Sequence, residues 1–587
     1  MHARISHLLV MCGCIALAVV GACKSDTGTN PNNSTDFIPN PSGPVSVGDL
    51  VRLNVNGDSS CNGAVYHTAR VVAISSKAII LSDTLNPKNG FTTADYQRFA
   101  TRFDTLVYPL DVANFGEPLD IDKNGHIAIL FTRAVNELTP PRANSYVGGF
   151  VFSRDLFPNT QTPRAQACAG SNQGEYFYML APDPTGVVNG NIRTTAFVDS
   201  ATVAVLAHEF QHLINATRRL YVNNSPVFED KWLDEGLAHV AEELLYYRES
   251  GYVPRSNLDI AAIRSSSARS AVFSSNMSGN ASRYRSYLSA PATNSPYSLN
   301  DSLATRGAAW SLLRYTVDRL NATDGFTAGN GQAVTTPGDL TLASGATVGD
   351  FTITLANTSL VLGSTATFAL QSTPLIIATS VPTGESFQPS MLREPTVEDD
   401  PAVLRRDDRF EARLRARERA ELTPMMGAAR RWYASQNMPV SAALRSRSAL
   451  ASSSFAEADA QTWFRLVNAT TAGITNLQSV VGGDLAGFVR DWNVSHAVDD
   501  VAAPSTQYQQ RSWNWHSIYP NITLPASTYP LPIQLISTST SVNGTIVAGG
   551  AQFYRVVLSA GSSVVLSLSA SGGAVNPNLQ MVVVRTK

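Results

Sequence analysis

The chain has 587 residues, of which 44% are hydrophobic and 15% are charged, so it can bury several cores and is too long for one ordinary domain. We expect three or more folded units. Its 44 Lys and Arg residues nearly balance its 46 Asp and Glu residues, which leaves no field of one sign to attract nucleic acid or an anionic membrane surface. Composition therefore argues against nucleic acid as a partner.

The N-terminus has the pattern of a segment that directs export. Arg4 precedes an apolar run at 8–20, which is short for a membrane-spanning helix but typical of a signal-peptide core. The sequence Val-Gly-Ala-Cys that ends at Cys23 resembles the lipobox of bacterial lipoproteins, whose cysteine accepts a diacylglyceryl group. An ordinary signal peptide with a nearby cysteine is the alternative. We expect a lipoprotein signal peptide at 1–22 and, because Pro, Asn, Ser and Gly follow, a flexible tether at 23–47.

Two cysteines, Cys61 and Cys168, lie in the part of the chain that is expected to fold. In an oxidising compartment two such cysteines most simply form one disulfide, and two buried thiols are the alternative. Neither cysteine belongs to a CxxC pair, so a zinc site built from cysteines is not expected.

From residue 48 the chain predicts a sheet that leads into helices. Short β-branched segments broken by turn residues indicate a small β meander at 47–82. Strand-like runs are then expected at 126–131, 146–152 and 175–180, and helices with apolar residues at helical spacing at 93–108, 200–217, 228–248 and 305–320. Asp199 or Ser200 is the predicted N-cap of the helix at 200–217.

The segment DIDKNG, which starts at Asp120, resembles the first half of a calcium-binding loop. Asp120, Asp122 and Asn124 place oxygen atoms at alternate positions, and Gly125 follows at the turn. The twelfth position is Phe131 and not Glu, so the segment is no EF-hand. A plain turn between strands and a bound calcium ion are the two interpretations.

The helix at 200–217 carries the arrangement HExxH, formed by His208, Glu209 and His212. Residues four positions apart lie one above the other on a helix, so both imidazoles can bind one zinc ion. Glu209 lies beside them and can reach a water molecule on that ion. Two unrelated histidines on a buried helix would be the plain alternative.

A second helix supplies further candidates in KWLDEGLAHVAEELL. A catalytic zinc site needs three protein ligands and an open position, and a carboxylate from another helix can be the third ligand. Glu235, which lies 23 positions after His212, fits this role. His239 is one helical turn further along, and either residue could in principle face the metal. Asp234, His239 and Glu242 are candidates to orient the ligands or contact substrate.

Together, HEFQHLIN and WLDEGLAHVAEE resemble the active-site helices of gluzincin metallopeptidases, with the hyicolysin-type family as the nearest likeness. FGEPLDIDKNGHIAILF, AAWSLLRY and FVRDW are also similar, so the resemblance covers roughly 60–325 and 461–500. It implies a zincin fold, with Glu235 as the third ligand. WLDEG is also similar to the WLNEG element of aminopeptidase N-type enzymes. However, Asp234 replaces the Asn of that element and no GAMEN-like segment is found, which weakens an aminopeptidase assignment.

The remaining third of the chain differs in amino-acid composition and pattern. Gly, Thr, Ser and Ala with alternating apolar positions indicate exposed strands after residue 326, and the Arg-rich run at 405–419 predicts a solvated helix. We therefore interpret 326–460 as a β-rich and charged insertion. Alternating runs at 530–587 predict a small C-terminal β-sandwich, similar to the bacterial pre-peptidase C-terminal domain.

The expected fold is α+β, with a zincin-like metallopeptidase domain at 48–325 and 461–500. The expected function is that of a zinc metalloendopeptidase that acts on proteins or peptides, with Glu209 as the general base. The protein should be exported and lipid-anchored to the bacterial cell envelope, facing the periplasm or the cell exterior. A binding or adhesion lipoprotein on a zincin scaffold and an aminopeptidase-type zinc hydrolase are the alternatives.

Overall fold

The computed structural model describes residues 44–57, 61–160, 167–320, 332–376, 405–406, 409–436, 460–498, 510–519, 531–570 and 575–585. These residues form α-helices and mixed β-sheets, which confirms the predicted α+β class. The predicted signal peptide and most of the tether lie outside the described residues. Within those residues, no helix combines the length and the apolar character needed to cross a membrane.

The sheet next to the proposed metal centre is built from short strands in the first third of the chain. The strands up to residue 180 are β1 (Leu50–Asn54), β2 (Tyr66–Ile74), β3 (Ala78–Asp83), β4 (Ile127–Thr132), β5 (Ser145–Tyr146), β6 (Gly149–Val151) and β7 (Tyr176–Leu180). The strand order is β1-β2-β3-β4-β7-β6. Strands β3, β4 and β7 are parallel, whereas β6 runs antiparallel to β7 and forms an edge.

Strand β4 divides the core because successive side chains point to opposite faces of a sheet. Ile127, Ile129 and Phe131 join the large core that also contains the helix residues from 203 to 222. Ala128 and Leu130 join a smaller core on the other face, with residues of β1 and β2. The sheet therefore supports the histidine-bearing helix from one side.

Helices make up most of the remainder. They are α1 (Thr93–Arg102), α2 (Tyr108–Phe115), α3 (Arg133–Glu137), α4 (Thr195–Thr217), α5 (Lys231–Ser250), α6 (Ile260–Ile263), α7 (Ser267–Asn276), α8 (Ser278–Leu288), α9 (Leu303–Leu320), α10 (Arg409–Leu422), α11 (Met426–Ser435), α12 (Ala460–Val467), α13 (Gly473–Val481), α14 (Leu485–Val498) and α15 (Trp515–Ile518). Each predicted helix up to residue 320 is present, although the one expected at 93–108 is interrupted by a π-helical turn at Phe103–Val107.

A two-sheet sandwich contains strands from two distant parts of the chain. The strands after residue 330 are β8 (Gln332–Thr335), β9 (Gly338–Ala343), β10 (Gly349–Asn357), β11 (Thr365–Ile376), β12 (Arg405–Arg406), β13 (Ile533–Leu535), β14 (Thr540–Val547), β15 (Ala551–Leu558), β16 (Ser563–Ala570) and β17 (Leu579–Arg585). One sheet has the order β13-β15-β10-β17-β8 and the other β14-β11-β16-β9. The segments at 326–460 and 530–587 thus share both sheets, while the domain boundaries remain predictions.

The predicted disulfide between Cys61 and Cys168 is confirmed. The two α-carbons lie 4.4 Å apart across a sequence separation of 107 residues. The bond joins the loop after β1 to the segment before β7, two strands of the same sheet. Cys168 is fully buried.

Candidate metal centre

Helix α4 places His208, Glu209 and His212 deep in the molecule, where each side chain is at most 2% exposed. The helix begins after Thr194, whose side chain accepts a hydrogen bond from the backbone N–H of Phe197. The prediction of Asp199 or Ser200 as the N-cap was therefore wrong. Thr194 caps the helix earlier, and those two residues lie inside its first turns.

Helix α5 brings Glu235 to the same place, because it packs closely against α4 and α9. Its close approach to α9 depends on Gly236: a Cβ there would lie 2.8 Å from Leu313. Glu235, one residue earlier, is fully buried and accepts a hydrogen bond from Arg306 of α9 at 2.8 Å.

Three potential ligand atoms converge between these helices. The Nε2 atoms of His208 and His212 are 3.2 Å apart. Oε2 of Glu235 lies 3.6 Å from the first and 3.7 Å from the second. Ligands about 2.0 to 2.1 Å from one tetrahedral ion lie roughly 3.3 to 3.4 Å from each other. The spacing of the three atoms thus fits the ligands of a zinc ion.

The opposite nitrogens of both rings face carboxylates. Nδ1 of His208 lies 3.0 Å from Oε1 of Glu242, and Nδ1 of His212 lies 3.1 Å from Oδ2 of Asp234. Asp234 is itself held by the side-chain amide of Asn215 at 2.8 Å. A carboxylate at Nδ1 keeps the ring proton there and leaves the Nε2 lone pair for a metal. With the protons on Nδ1, two lone pairs would face each other in a buried site and repel, and a cation between them would remove that repulsion.

The charge state of Glu235 also suits a ligand. Burial alone would raise the pKa of this carboxyl group, but Arg306 and His212 outweigh burial and hold the pKa well below its ordinary value. The side chain is therefore ionised at neutral pH, as a carboxylate must be to bind a metal.

His239 lies beside the three converging atoms. Its ring centroid is 4.8 Å from that of His208, and its Nδ1 is 3.2 Å from Oε2 of Glu242. Burial lowers the pKa of His239 to about 4, so the ring is neutral. Glu242 therefore contacts both His208 and His239, and it links the predicted orienting residues in one network.

Other groupings of His208 could also hold a metal by distance alone: one with His239 and Glu242, and one with Glu209 and Glu411. In the first, Glu242 faces the Nδ1 atoms of both histidines, as a hydrogen-bond acceptor does. The second contains a single imidazole. The group of His208, His212 and Glu235 is the one whose nitrogen lone pairs converge.

Glu209 has the contacts of a positioned carboxylate. Its Oε2 accepts a hydrogen bond from the backbone N–H of Val151 in the edge strand β6 at 2.9 Å. Its Oε1 accepts one from Arg406 at 3.0 Å. Burial, and then the neighbouring Glu411, raise the pKa of Glu209, which moves this group toward the pH at which a general base exchanges protons.

Several residues at the site were not identified from the sequence. Arg306 donates to both Glu235 and Glu411 at 2.8 Å, and Glu411 approaches Nε2 of His208 to 3.8 Å. Arg406 and Glu411 belong to the Arg-rich run whose helix was expected to be solvated. That expectation was wrong, since Glu411 is 1% exposed and one face of α10 packs on the site. The pair Phe410 and Leu414, at helical spacing, was the available signal of a buried face.

The loop that resembles a calcium site brings Asp120 and Asp122 together, but it uses Asn124 differently. The amide of Asn124 donates to Asp122 at 2.8 Å, and its oxygen accepts the backbone N–H of His126 at 2.6 Å. The third carboxylate near the two aspartates belongs to Glu175, directly before β7.

Comparisons with known proteins bear on part of the chain. No protein-family model matches it. A segment of 156 residues is 30% identical to the neutral metalloprotease ShpI of Staphylococcus hyicus, and it makes up 27% of this chain and 32% of that protein. The chain thus spans about a third of the length of this relative, so the match supports a relationship over one segment and not along the whole chain.

Proposed function

We propose that this chain is a zinc metalloendopeptidase that hydrolyses peptide bonds in proteins or peptides. His208, His212 and Glu235 bind the zinc ion, and Glu209 is the general base. The observation that carries the proposal is the convergence of two Nε2 atoms and one carboxylate oxygen with separations of 3.2 to 3.7 Å. The partial likeness to a neutral metalloprotease supports a metallopeptidase and a protein or peptide substrate.

Zinc, when bound at such a site, polarises the scissile carbonyl group and lowers the pKa of water toward neutrality. The chain supplies the proton transfer. Glu209 takes a proton from the attacking water and passes it to the nitrogen of the leaving amine. Its hydrogen bond from the Val151 N–H fixes one carboxylate oxygen, and the other, which accepts from Arg406 in this structure, is the one that would take the proton.

The carboxylates of Asp234 and Glu242 orient the two histidines through their Nδ1 atoms. His239 supports Glu242 from the far side. None of these three residues is proposed as a metal ligand. Calcium, which the sequence suggested at Asp120, Asp122 and Asn124, is not needed for this chemistry and is proposed only as a separate ion of the fold.

The location that we propose is the cell envelope. Export followed by acylation of Cys23 would anchor the protein to the membrane through its lipid, with residues 23–47 as a tether. The disulfide between Cys61 and Cys168 supports an oxidising compartment outside the cytoplasm.

The test combines metal analysis with peptide cleavage. The purified protein should contain zinc and should cleave casein, as well as a long peptide whose two ends are chemically blocked. The same peptide with free ends serves as a second substrate. Cleavage of that peptide, without cleavage of the blocked one, would instead indicate an aminopeptidase. Stoichiometric zinc without any turnover would indicate a binding protein on the same scaffold.

A further inference from the structure

We propose that Asp120, Asp122 and Glu175 bind a divalent cation of the calcium type. This ion would belong to the fold and take no part in the proposed peptidase reaction. One carboxylate oxygen from each residue lies within 4.8 Å of the others. Asp120 is exposed and Asp122 half-buried, so an ion can enter from solvent. Glu175 forms the inner wall and is 1% exposed.

Glu175 provides the independent sign that a ligand is needed. Its Oε1 accepts the backbone N–H of Ile121 at 2.8 Å, whereas its Oε2 has no hydrogen-bond partner among the described residues. An ionised carboxylate that is buried with one unpaired oxygen is unfavourable, and a bound cation removes this cost.

The three carboxylates also lack a counter-charge. In the described part of the chain, no Lys, Arg or His forms an ion pair with Asp120, Asp122 or Glu175. Burial and then the charge of Asp122 raise the pKa of Glu175, and burial raises the pKa of Asp122 to about 8. A bound cation would supply the missing counter-charge and stabilise the ionised carboxylates.

The donor atoms identify the class of ion. Carboxylate oxygens without sulfur or imidazole favour hard cations such as Ca²⁺ and Mg²⁺ over zinc or copper. Calcium is the better fit because carboxylates from two separate chain segments form an irregular, adaptable site, whereas Mg²⁺ demands near-ideal octahedral geometry.

The experiment uses the full chain, freed of all metal ions on a chelating resin and then reloaded with one equivalent of zinc. Calcium is titrated by calorimetry, and the melting temperature is recorded with and without calcium. Wild type should bind one ion with a dissociation constant of about 10⁻³ M or tighter and melt higher when calcium is present. Glu175→Gln and Asp122→Asn should lose the calcium response, whereas the control Glu137→Gln, which removes an exposed carboxylate, should keep it.

The melting temperature without calcium tests for repulsion between the three carboxylates. Without calcium, Glu175→Gln should melt no lower than wild type, since the amide relieves the repulsion between carboxylates. An equal calcium shift in wild type and Glu175→Gln, or no calcium binding to wild type, would overturn the site. Asp122→Asn, at a less buried position, decides the matter if Glu175→Gln does not fold.

Strand β12 and helix α10 lie over the metal centre, and we call these two elements the cover. We infer that this cover is autoinhibitory and must move before a peptide reaches Glu209. The inference rests on the proposed peptidase function. His208, Glu209 and Glu235 are fully buried, although an endopeptidase site must admit an extended chain.

Arg406 is the part of the cover that reaches the catalytic group. Its guanidinium donates to Glu209 and to Glu242, each at 3.0 Å, and to Glu411 at 2.7 Å. Its backbone is held in place because β12 pairs with β5. Arg406 thus occupies the carboxylate that the proposed reaction needs for its water.

Helix α10 lies against the end of the edge strand β6 and the 3-10 turn that follows it. Arg415 donates to the backbone oxygen of Val151 at 3.2 Å, and Glu418 accepts the backbone N–H of Ser153 at 2.6 Å. Free backbone groups at a sheet edge are where an extended peptide can pair. The cover therefore forms hydrogen bonds with both Glu209, the proposed general base, and the backbone groups beside it.

The cover is anchored by apolar packing and borders a small cavity. The ring of Phe410 packs on Phe150 at a centroid distance of 5.1 Å. A small cavity of about 20 Å³ lies beside His212, and Arg415 and Glu418 form part of its wall. Displacing α10 would therefore enlarge this cavity toward the metal ligands.

The test compares Arg406→Ala with Arg413→Ala, which removes an exposed arginine of α10. Two rates are measured on the zinc-loaded protein: cleavage of the blocked peptide, and removal of zinc by phenanthroline, which needs no peptidase activity. For Arg406→Ala both rates should rise, by about tenfold if the covered state predominates in wild type. The control should match wild type.

The outcomes separate the two proposals. Faster zinc removal without any cleavage would support the cover and contradict the peptidase function. Zinc removal at the wild-type rate would overturn the inference that the cover is autoinhibitory, whatever the rate of cleavage. If Arg406→Ala does not fold, Glu418→Ala, which frees the Ser153 N–H, should raise both rates in the same direction.

Discussion

Nε2 of His208 lies 3.2 Å from Nε2 of His212, one helical turn away. The approach of two acceptor nitrogens follows directly from the i, i+4 spacing in HExxH. It becomes favourable when a cation lies between them, and Glu235 is the carboxylate placed to share that cation.

Glu235→Ala should abolish stoichiometric zinc binding, because one of three ligands is lost and Arg306 loses one of its carboxylate partners. His239→Ala should keep zinc and lower activity roughly 10- to 100-fold, the usual range for residues that support a ligand. Zinc content by mass spectrometry and peptide cleavage measure the two effects. Zinc lost from the His239 variant but kept by the Glu235 variant would reverse the assignment.

Glu209→Gln should keep zinc and the fold but lose about 10²- to 10⁴-fold in turnover, because an amide cannot accept the proton of water. The amide is nearly isosteric, and its oxygen can still accept the Val151 N–H. Zinc analysis, circular dichroism and turnover of the blocked peptide are the measurements. Turnover near that of wild type would remove Glu209 from the mechanism.

The sequence predicted the parts of this centre that are local. His208, Glu209 and His212 lie within five residues, and the helix period alone places them on one side. Arg406 meets Glu209 across 197 residues of sequence, and no periodic pattern records such a contact. The same holds for the sandwich, in which β10 pairs with β15 and β17 from the far end of the chain.

The Arg-rich helix shows how charge misleads. Alternating charges over 405–419 indicated a solvated surface, yet Arg415 is 6% and Glu418 3% exposed. The two are buried as a pair, joined at 2.9 Å. A buried charge with a partner has the same sequence signature as an exposed one.

Cys23→Ser should release the protein from the membrane fraction, because the serine hydroxyl cannot carry the thioether-linked lipid. The measurement is fractionation of cells followed by immunoblotting, with labelling by a fatty-acid analogue. Cys14→Ser, within the predicted signal peptide, is the matched control and should stay anchored. Equal membrane association of the Cys23 variant and wild type would exclude the lipid anchor.

Replacing both Cys61 and Cys168 by Ala should lower stability by about 4 kcal/mol, since the disulfide closes a loop of 107 residues and restricts the unfolded chain. Urea unfolding of the wild type in oxidising and reducing buffer gives the comparison. Reduction should shift wild type toward the variant and leave the variant unchanged. A shift of the variant on reduction would mean that reduction acts elsewhere.

The stability of the protein in acid should depend on His496 of α14. This side chain is fully buried; its Nδ1 lies 2.9 Å from the hydroxyl of Tyr284 and 3.1 Å from the amide of Gln510. Burial lowers the pKa of His496 to about 3 from its ordinary value of 6.5. Below pH 6.5 the unfolded state therefore binds a proton that the folded state refuses, so stability falls as the pH decreases toward 3.

The loss should approach about 1.4 kcal/mol for each pH unit within this window, and His496→Asn should remove it. Asn keeps an acceptor near the position of Nδ1 but does not titrate. Both proteins are unfolded with urea at several pH values after zinc has been stripped, because acid also releases zinc from His208 and His212. At neutral pH the free energy of unfolding should be larger for wild type than for the variant. This difference should shrink steadily below pH 6.5, because only wild type has a histidine whose protonation is suppressed by folding. Parallel stability curves for the two proteins would show that His496 is protonated equally in both states and that its burial does not drive acid unfolding.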